Sequence, residues 1–495
     1  MQASSLLPIL ATVMAFALAI AAPGVPAQDS ADTAIPADRL WSDEQALRIS
    51  GASLEPYTRR LIITGQKFGS RRPPRVSLDG VVLSLSSAGE DRLVTDPLPA
   101  NLVGSGTHAL AVIDGSDRTR LALYQLVIDS LPTGGGRSAA PQANRISVID
   151  HNGDVGVASS IAVGATGNPL ILYLDYANRD LKLARCRDAA CTGADLQALA
   201  TDGDVGWANA LIVGADGLPR LSYVDNTNKV VKFGWCEDPE CRVFQARTID
   251  TAGQAGQHTS IILGRDGWPV IGYYDNAESH LKLAHCLDPH CATFERSTVD
   301  DSGNVGWYTS MALGADGNPV ISYFDATRRG LKFARCANPS CSSARVTTVD
   351  IGGVGLGTAT VVGADGLPVI AYWDFLNDDL KLALCTRPDC ARATLLVIDR
   401  QGAVGSNAAM TLGADGNPII SYHDHTGGAL KIAHCADRAC TDVRISVPDS
   451  NGSVGWHTSI ALGADGLPIV SYYDDTNKDL KVLHCGDASC NGAAP

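Results

Sequence analysis

A chain of 495 residues exceeds what one ordinary core organises, so several domains or a repeat array are expected. It carries 53 acidic against 39 basic residues, a formal net charge of −14. Such a surface repels phosphate backbones and anionic headgroups, which argues against nucleic acid and membrane-surface partners. At the N-terminus, an apolar run from Leu6 to Ala22 is followed by Pro, Gly and small residues. This reads as a signal peptide over 1–27, cleaved after Ala27. The run is shorter than the roughly 20 residues a spanning helix needs, and no later segment is apolar for long enough, so no membrane span is expected. The expected setting is secreted, periplasmic or at the outer cell surface, with the chain a monomer.

Residues 46–131 contain no cysteine and read as short strands punctuated by Gly and Pro. "ITGQKFG" (Ile63 to Gly69) is followed by "PRVSLDGVVLSL" and then "LPANLVGSGTHALAVI". Alternation within "RVSLDGVVLSL" suits a β-sandwich with one buried face per sheet. In the order of these elements the segment resembles the IPT/TIG domain, an immunoglobulin-like sandwich of cell-surface and secreted proteins. The resemblance implies a spacer or interaction module rather than catalysis. A Gly/Ala/Pro-rich stretch, 132–144, reads as a linker.

From residue 145 onward the chain repeats itself. All fourteen cysteines fall in pairs with four residues between them: Cys186/Cys191, Cys236/Cys241, Cys286/Cys291, Cys336/Cys341, Cys385/Cys390, Cys435/Cys440 and Cys485/Cys490. Successive pairs are about fifty residues apart, a period that marks solenoids and propellers. Each unit holds runs such as "TSMALG", "PVISYFD", "LKFARC" and "ARVTTVD", rich in β-branched and aromatic residues and separated by Gly/Asp/Asn/Pro turns. The runs are almost continuously apolar, as strands buried on both faces are. The last unit stops after its cysteines and lacks a fourth strand. A spare one, "RISVID" (Arg145 to Asp150), stands before the first unit. Together they predict an all-β, seven-bladed β-propeller of four-stranded antiparallel blades over 145–490, closed by an N-terminal strand in the last blade. The repeats resemble extracellular bacterial propellers in the broad sense, without the S-x-D-x-G-x-x-W turn of sialidases or the WD and kelch signatures.

The cysteine pairs flank the turn between third and fourth strands and are expected on the outer rim as disulfides. Two thiolates supply only half a tetrahedral zinc site, and only "AHCLDPHC" adds His285 and His290. No metal and no cofactor are expected. The acidic loops "DHNGDVG", "TDGDVG" and "DDSGNVG" do not follow calcium-loop spacing.

Residues repeated in every unit are read as structural, because a catalytic site needs one set of groups and not seven. Tyr173, Asp175 and Lys182 recur throughout, the Asp and Lys flanking the second hairpin, where they are read as a salt bridge or a backbone-capping hydrogen bond. Departures from the repeat are more telling. After "VG" or "AG" each unit carries a variable pair at the entry to its innermost strand, where loops surround the channel mouth. There Trp207, His258, Trp307, Tyr308, Trp456 and His457 are the candidate ligand-binding residues, since aromatic faces beside polar groups suit sugar rings. His423 and His425 appear only in the sixth unit and are expected on a solvated loop, with a single-site acid–base role as the alternative. The leading expectation is a non-catalytic binding or adhesion protein whose partner is a glycan or an extracellular protein. The alternatives are a polysaccharide-acting enzyme, hydrolase or lyase, with a site of non-repeated loop residues, and a purely structural envelope scaffold.

Overall fold

The computed structural model describes residues 47–492, apart from 55–59, 69–71, 79–80, 97, 99–105, 116–120, 129–142, 215 and 252–254. The expected signal peptide and most of the expected linker lie outside the described residues. Among the described residues the protein is all-β: nine sheets of four antiparallel strands and no helix.

The first eight strands are β1 (Arg48–Leu54), β2 (Leu61–Gln66), β3 (Arg75–Leu78), β4 (Val81–Leu83), β5 (Leu85–Ala88), β6 (Arg92–Thr95), β7 (Gly106–Ile113) and β8 (Leu121–Ile128). They form two sheets in the orders β1-β2-β6-β5 and β4-β3-β7-β8. Leu61, Ile63 and Leu93 from one sheet, Val76, Leu78, Leu110 and Val112 from the other, and Phe68 between them make one apolar cluster. In β2 the alternation of buried and solvent-facing side chains follows the period of two that puts one face inward.

The spare strand β9 (Arg145–Asp150) is followed by the repeats. These comprise β10–β13 (155–200), β14–β17 (205–250), β18–β21 (255–300), β22–β25 (305–351), β26–β29 (354–399), β30–β33 (404–449) and β34–β36 (454–484). The first six groups are sheets one to six, each a simple antiparallel meander. Sheet seven has the order β34-β35-β36-β9, with Leu480 opposite Asp150, Val482 opposite Ser147 and His484 opposite Arg145. The first and last strands of the repeat region thus lie side by side. Asn144 reinforces the seam, donating to the Cys490 carbonyl at 2.8 Å and accepting from the Gly486 amide at 3.0 Å.

The apolar runs explain how sheets stack. Nearly every residue of the second strand in each repeat is buried, because both faces meet a neighbouring sheet. Consecutive sheets share apolar cores: Leu172, Leu183, Leu221 and Tyr223 between sheets one and two, Val320, Phe333, Ile370 and Tyr372 between four and five. Another core joins the last sheet to the first through Ile149, Ile469, Val482, Ile171 and Tyr173. Glycine of the "VG" step permits this approach. Gly455 has φ +90°, and a Cβ there would sit 2.8 Å from the Leu430 Cα of the preceding sheet.

Hydroxyls of the "S-x-A-L" segment tie the innermost strands together. Ser160 accepts the Leu211 amide of the next sheet at 3.0 Å, Ser310 accepts that of Thr360 at 3.0 Å, and Ser459 of sheet seven accepts that of Ile161 in sheet one at 3.2 Å. The described residues therefore have a propeller-like arrangement.

All seven cysteine pairs are disulfides: Cys186–Cys191, Cys236–Cys241, Cys286–Cys291, Cys336–Cys341, Cys385–Cys390, Cys435–Cys440 and Cys485–Cys490. Their pairing is the expected one, and they flank the turn between third and fourth strands as expected, where they are buried. Apolar side chains of two adjacent sheets close over each bridge. Cys191 belongs to the core between sheets seven and one, Cys241 to that between one and two, and Cys341 to that between three and four. Cys390 lies in the core between sheets four and five, and Cys440 in that between five and six. The two cysteines of a pair also differ in backbone. Cys186, Cys236, Cys385 and Cys435 end the third strand of their sheet. Cys191, Cys241, Cys390 and Cys440 stand in the turn itself with φ of +52°, +54°, +47° and +48°, as do the three remaining second cysteines. That left-handed residue reverses the chain, and an aspartate in most repeats holds the loop. Asp288, for instance, accepts the amides of His290 and Ala292 at 3.0 Å each.

His285 turns to Asp266 (2.7 Å) and His290 packs on Trp235, so neither faces the sulfurs as a zinc ligand would. Among the described residues no cluster of His, Cys, Asp and Glu is arranged to hold a metal. Nor does any described helix have the length and apolarity to cross a membrane. Seven disulfides fit an oxidising, extracellular setting.

Candidate functional site

The repeated polar residues form inter-sheet clamps that the sequence showed only in part. The hairpin aspartate chiefly caps its own turn: Asp175 accepts the Asn178 amide at 3.0 Å and stands 3.6 Å from Lys182. The lysine's closer partner is another repeated aspartate, at the end of the preceding sheet's outer strand. Lys182 meets Asp150 at 2.5 Å, and Tyr173 donates to the same carboxylate at 2.7 Å. Equivalent clamps join Tyr323 and Lys332 to Asp300, Tyr372 and Lys381 to Asp350, Tyr422 and Lys431 to Asp399, and Tyr472 and Lys481 to Asp449. At Asp250 the partners are Tyr273 and Arg296. Burial pushes the Asp300 carboxyl up, but hydrogen bonds from Lys332 and Tyr323 outweigh it and hold the group below its ordinary value. These charges are paired and buried, in keeping with a structural role.

The variable pairs sit on β-bulges in the innermost strands. Register shifts on both sides of Trp207, Trp307 and Trp456, and the residue after each has a positive φ. That residue is Tyr308 at +53° and His457 at +50°, an uncommon conformation for bulky side chains. Trp207, Trp307 and Trp456 each wedge against the preceding sheet. Trp307 packs edge-on to Tyr274 (5.7 Å between centroids), and Trp456 lies 4.1 Å from the His423 ring. Tyr274 and His423 both stand at the variable position of "Y-x-D", which in other repeats is Phe324, Trp373 and Tyr473. Their common register with the variable pair was the signal for them, and only His423 was picked out.

The six candidates do not make one continuous aromatic ring. Trp207 packs on Tyr176 and donates its indole N–H to Asp204 at 2.7 Å. His258, Trp307 and Tyr308 group together, with His258 and Tyr308 at 4.1 Å. Burial alone pulls His258 down to about 4. The third group is richer. Around Trp456 stand His423, His425 at 5.5 Å, and His457, whose ring faces Tyr473 at 6.3 Å. Tyr473 donates to Asp154 at 2.7 Å, on the loop that follows β9.

The two sixth-unit histidines differ from the expected solvated loop. His423 is 1% exposed on β31 (Pro418–Asp424), and its Nδ1–H donates to the Val454 carbonyl at 2.9 Å. Only His425 is exposed. Burial lowers His423, with His425 adding to the effect. Burial and then His423 bring His457, which is half-buried, to about 4, so both rings are neutral near pH 7. Neutral imidazoles can accept protons, and a Trp face beside them can seat a sugar ring.

No family model matches the chain, and no curated protein does. Among solved structures, a polysaccharide lyase is 10% identical with TM-score 0.46, covering 71% of this chain and 93% of its own. An α-L-arabinofuranosidase from Lactobacillus brevis is 13% identical with TM-score 0.32, covering 53% and 93%. A Hadza microbial sialidase is 12% identical with TM-score 0.38, covering 79% and 76%. At these values none of them carries an activity to this chain. The neighbours are nonetheless mostly enzymes, and with that the expectation of a non-catalytic binding or adhesion protein is withdrawn, together with the lean against catalysis.

Proposed function

We propose that the protein is a secreted or cell-envelope enzyme acting on polysaccharide, with its site where sheets six and seven meet. In this reading the seven repeat sheets are the blades of a closed seven-bladed propeller. Residues 46–131 are an IPT/TIG-type, immunoglobulin-like spacer. One observation supports the catalytic reading above the others: His423, His425 and His457 gather around Trp456 once in an otherwise repeating array. A ring of equivalent sites would bind; a single departure from the repeat is what a reaction needs.

Trp456 offers the face for a sugar ring, and exposed His425 the proton-transfer group. His423 packs on Trp456 and positions it, and His457 stands beside Tyr473. The carboxylates that act on this group are engaged: Asp154 by Tyr473, Asp475 by Lys478 at 2.6 Å, Asp424 by the Gly427 amide at 2.8 Å and Lys431 at 3.2 Å, and Asp474 by Asn477 at 3.0 Å. Hydrolysis by two free carboxylates therefore fits less well than elimination. In elimination a base takes the proton beside a uronate carboxyl group, the electron pair forms a ring double bond, and the glycosidic oxygen leaves with a proton. The test is turnover on neutral and uronate polysaccharides, reading new reducing ends for either reaction and ultraviolet absorbance of the double bond for elimination. His425→Ala and Trp456→Ala are expected to lower kcat/KM by about 100-fold or more while remaining folded. Absence of turnover across the panel, or full activity in both variants, would overturn the proposal.

A further inference from the structure

One inter-sheet clamp lacks its carboxylate. Where the other repeats have Asp150, Asp250, Asp300, Asp350, Asp399 and Asp449, the outer strand of sheet one, β13, ends in Ala200. The groups that would receive that carboxylate are still in place on sheet two. Tyr223 and Lys232 face each other across β15 and β16 in the register of Tyr323 with Lys332 and Tyr472 with Lys481. Tyr223 is 2% exposed, and its hydroxyl has no hydrogen-bond partner among the described residues, whereas six sister hydroxyls donate to an aspartate at 2.6–2.8 Å. Among the described residues Lys232 has one ion pair, 3.5 Å to Asp225, whose oxygens are also taken by Asn228 at 2.8 and 2.9 Å. Its side chain is 26% exposed, against 6% for Lys332 and 14% for Lys381, so this clamp opens to solvent.

We propose that Tyr223 and Lys232 form a binding slot for the carboxylate of a ligand, either an acidic sugar or a small free carboxylate. Internal repetition defines the geometry: one oxygen accepting both the phenol O–H and the lysine ammonium, as Asp300 does at 2.7 and 2.5 Å. The slot requires charge balance as well. Each full clamp sets two carboxylates against one lysine, and here Lys232 faces Asp225 alone, so an incoming carboxylate restores the composition of its sisters. Other charged groups nearby leave the slot unfilled. Asp204 is engaged by Trp207 and Arg179, and Asp202 is exposed on the loop after Ala200. Two donors that most sister repeats direct at one shared carboxylate here face an opening through which a carboxylate can enter. The inference does not depend on the reaction proposed above, since it is read as binding without turnover.

The experiment is thermal melting of the whole protein with sodium acetate or sodium glucuronate, at ionic strength held constant with sodium chloride. At about ten times Kd, occupancy is expected to raise Tm by about 1–2 °C. Ala200→Asp supplies the carboxylate from within, so it should melt higher unliganded and lose the shift, while Tyr223→Phe should weaken binding about tenfold. A shift with both salts assigns the slot to carboxylates in general; a shift with glucuronate alone assigns it to acidic sugars. No shift with either salt, or a shift that survives Ala200→Asp, overturns the proposal.

Discussion

Removing one clamp carboxylate should destabilise the protein by an amount the structure sets. In Asp300→Ala the ammonium of Lys332, a residue 4% exposed, and the Tyr323 hydroxyl, on a fully buried residue, lose their common acceptor. Breaking a buried pair in this one-sided way costs about 3–5 kcal/mol, because the remaining charge is uncompensated. Asp325 lies 3.9 Å from Lys332 and recovers part of that, which places the expected loss near the lower end, about 3 kcal/mol. Spread over the unfolding entropy of a domain of some 340 residues, this corresponds to a fall of about 4 °C in Tm. Tyr323→Phe removes only the donor and should cost about 1–2 kcal/mol. Tyr223→Phe is the internal control: the same residue type at the same register, with no carboxylate to lose, should be close to neutral in buffer lacking carboxylates. Calorimetry on the three variants checks the reasoning. Equal losses at Tyr323 and Tyr223, or no loss in Asp300→Ala, would refute it.

Further consequences can be measured directly. The carboxyls of Asp150, Asp300 and Asp399 are held below their unfolded values, so their contribution is present above about pH 4 and is lost as pH falls through the lower folded values. His258 and His457, depressed to about 4, act over a different window. The unfolded chain binds more protons there, so stability should fall as pH drops from about 6.5 to about 4, and His457→Gln should flatten part of that slope in urea melts. Replacing Cys286 and Cys291 together by Ser should cost about 2 kcal/mol by the loop-entropy argument, read as a lower denaturant midpoint. Gly455→Ala should be destabilising by more than an ordinary Gly→Ala exchange, because the added methyl meets the Leu430 backbone at a positive φ.

Much of the fold was legible because repetition averages out local ambiguity. Period, strand order and the cysteine pairs all follow from residues that recur, and the missing fourth strand pointed to Arg145–Asp150. Long-range pairing of polar groups was less legible. Lys182 sits seven residues from Asp175, so the hairpin partner looked natural, yet Asp150 reaches it from the preceding sheet. The turn that the disulfides flank was legible from spacing, but not that cysteines such as Cys191 and Cys241 fill inter-sheet cores there. Sequence alone located the variable pairs, but neither the bulges that carry them nor which ring meets which. Trp456 pairs in register with Tyr473 and packs against His423, a contact that depends on how one sheet leans on the next.

The account rests most heavily on β9 completing the sheet that the C-terminal repeat begins, since this seam also carries the loop that brings Asp154 to Tyr473. Native-state hydrogen exchange on residues 145–150 tests it most directly. The account predicts protection of these amides comparable with that of the equivalent outer strand Phe294–Asp300, opening only with global unfolding. Exchange as fast as in an unpaired segment, with Phe294–Asp300 still protected, would contradict it.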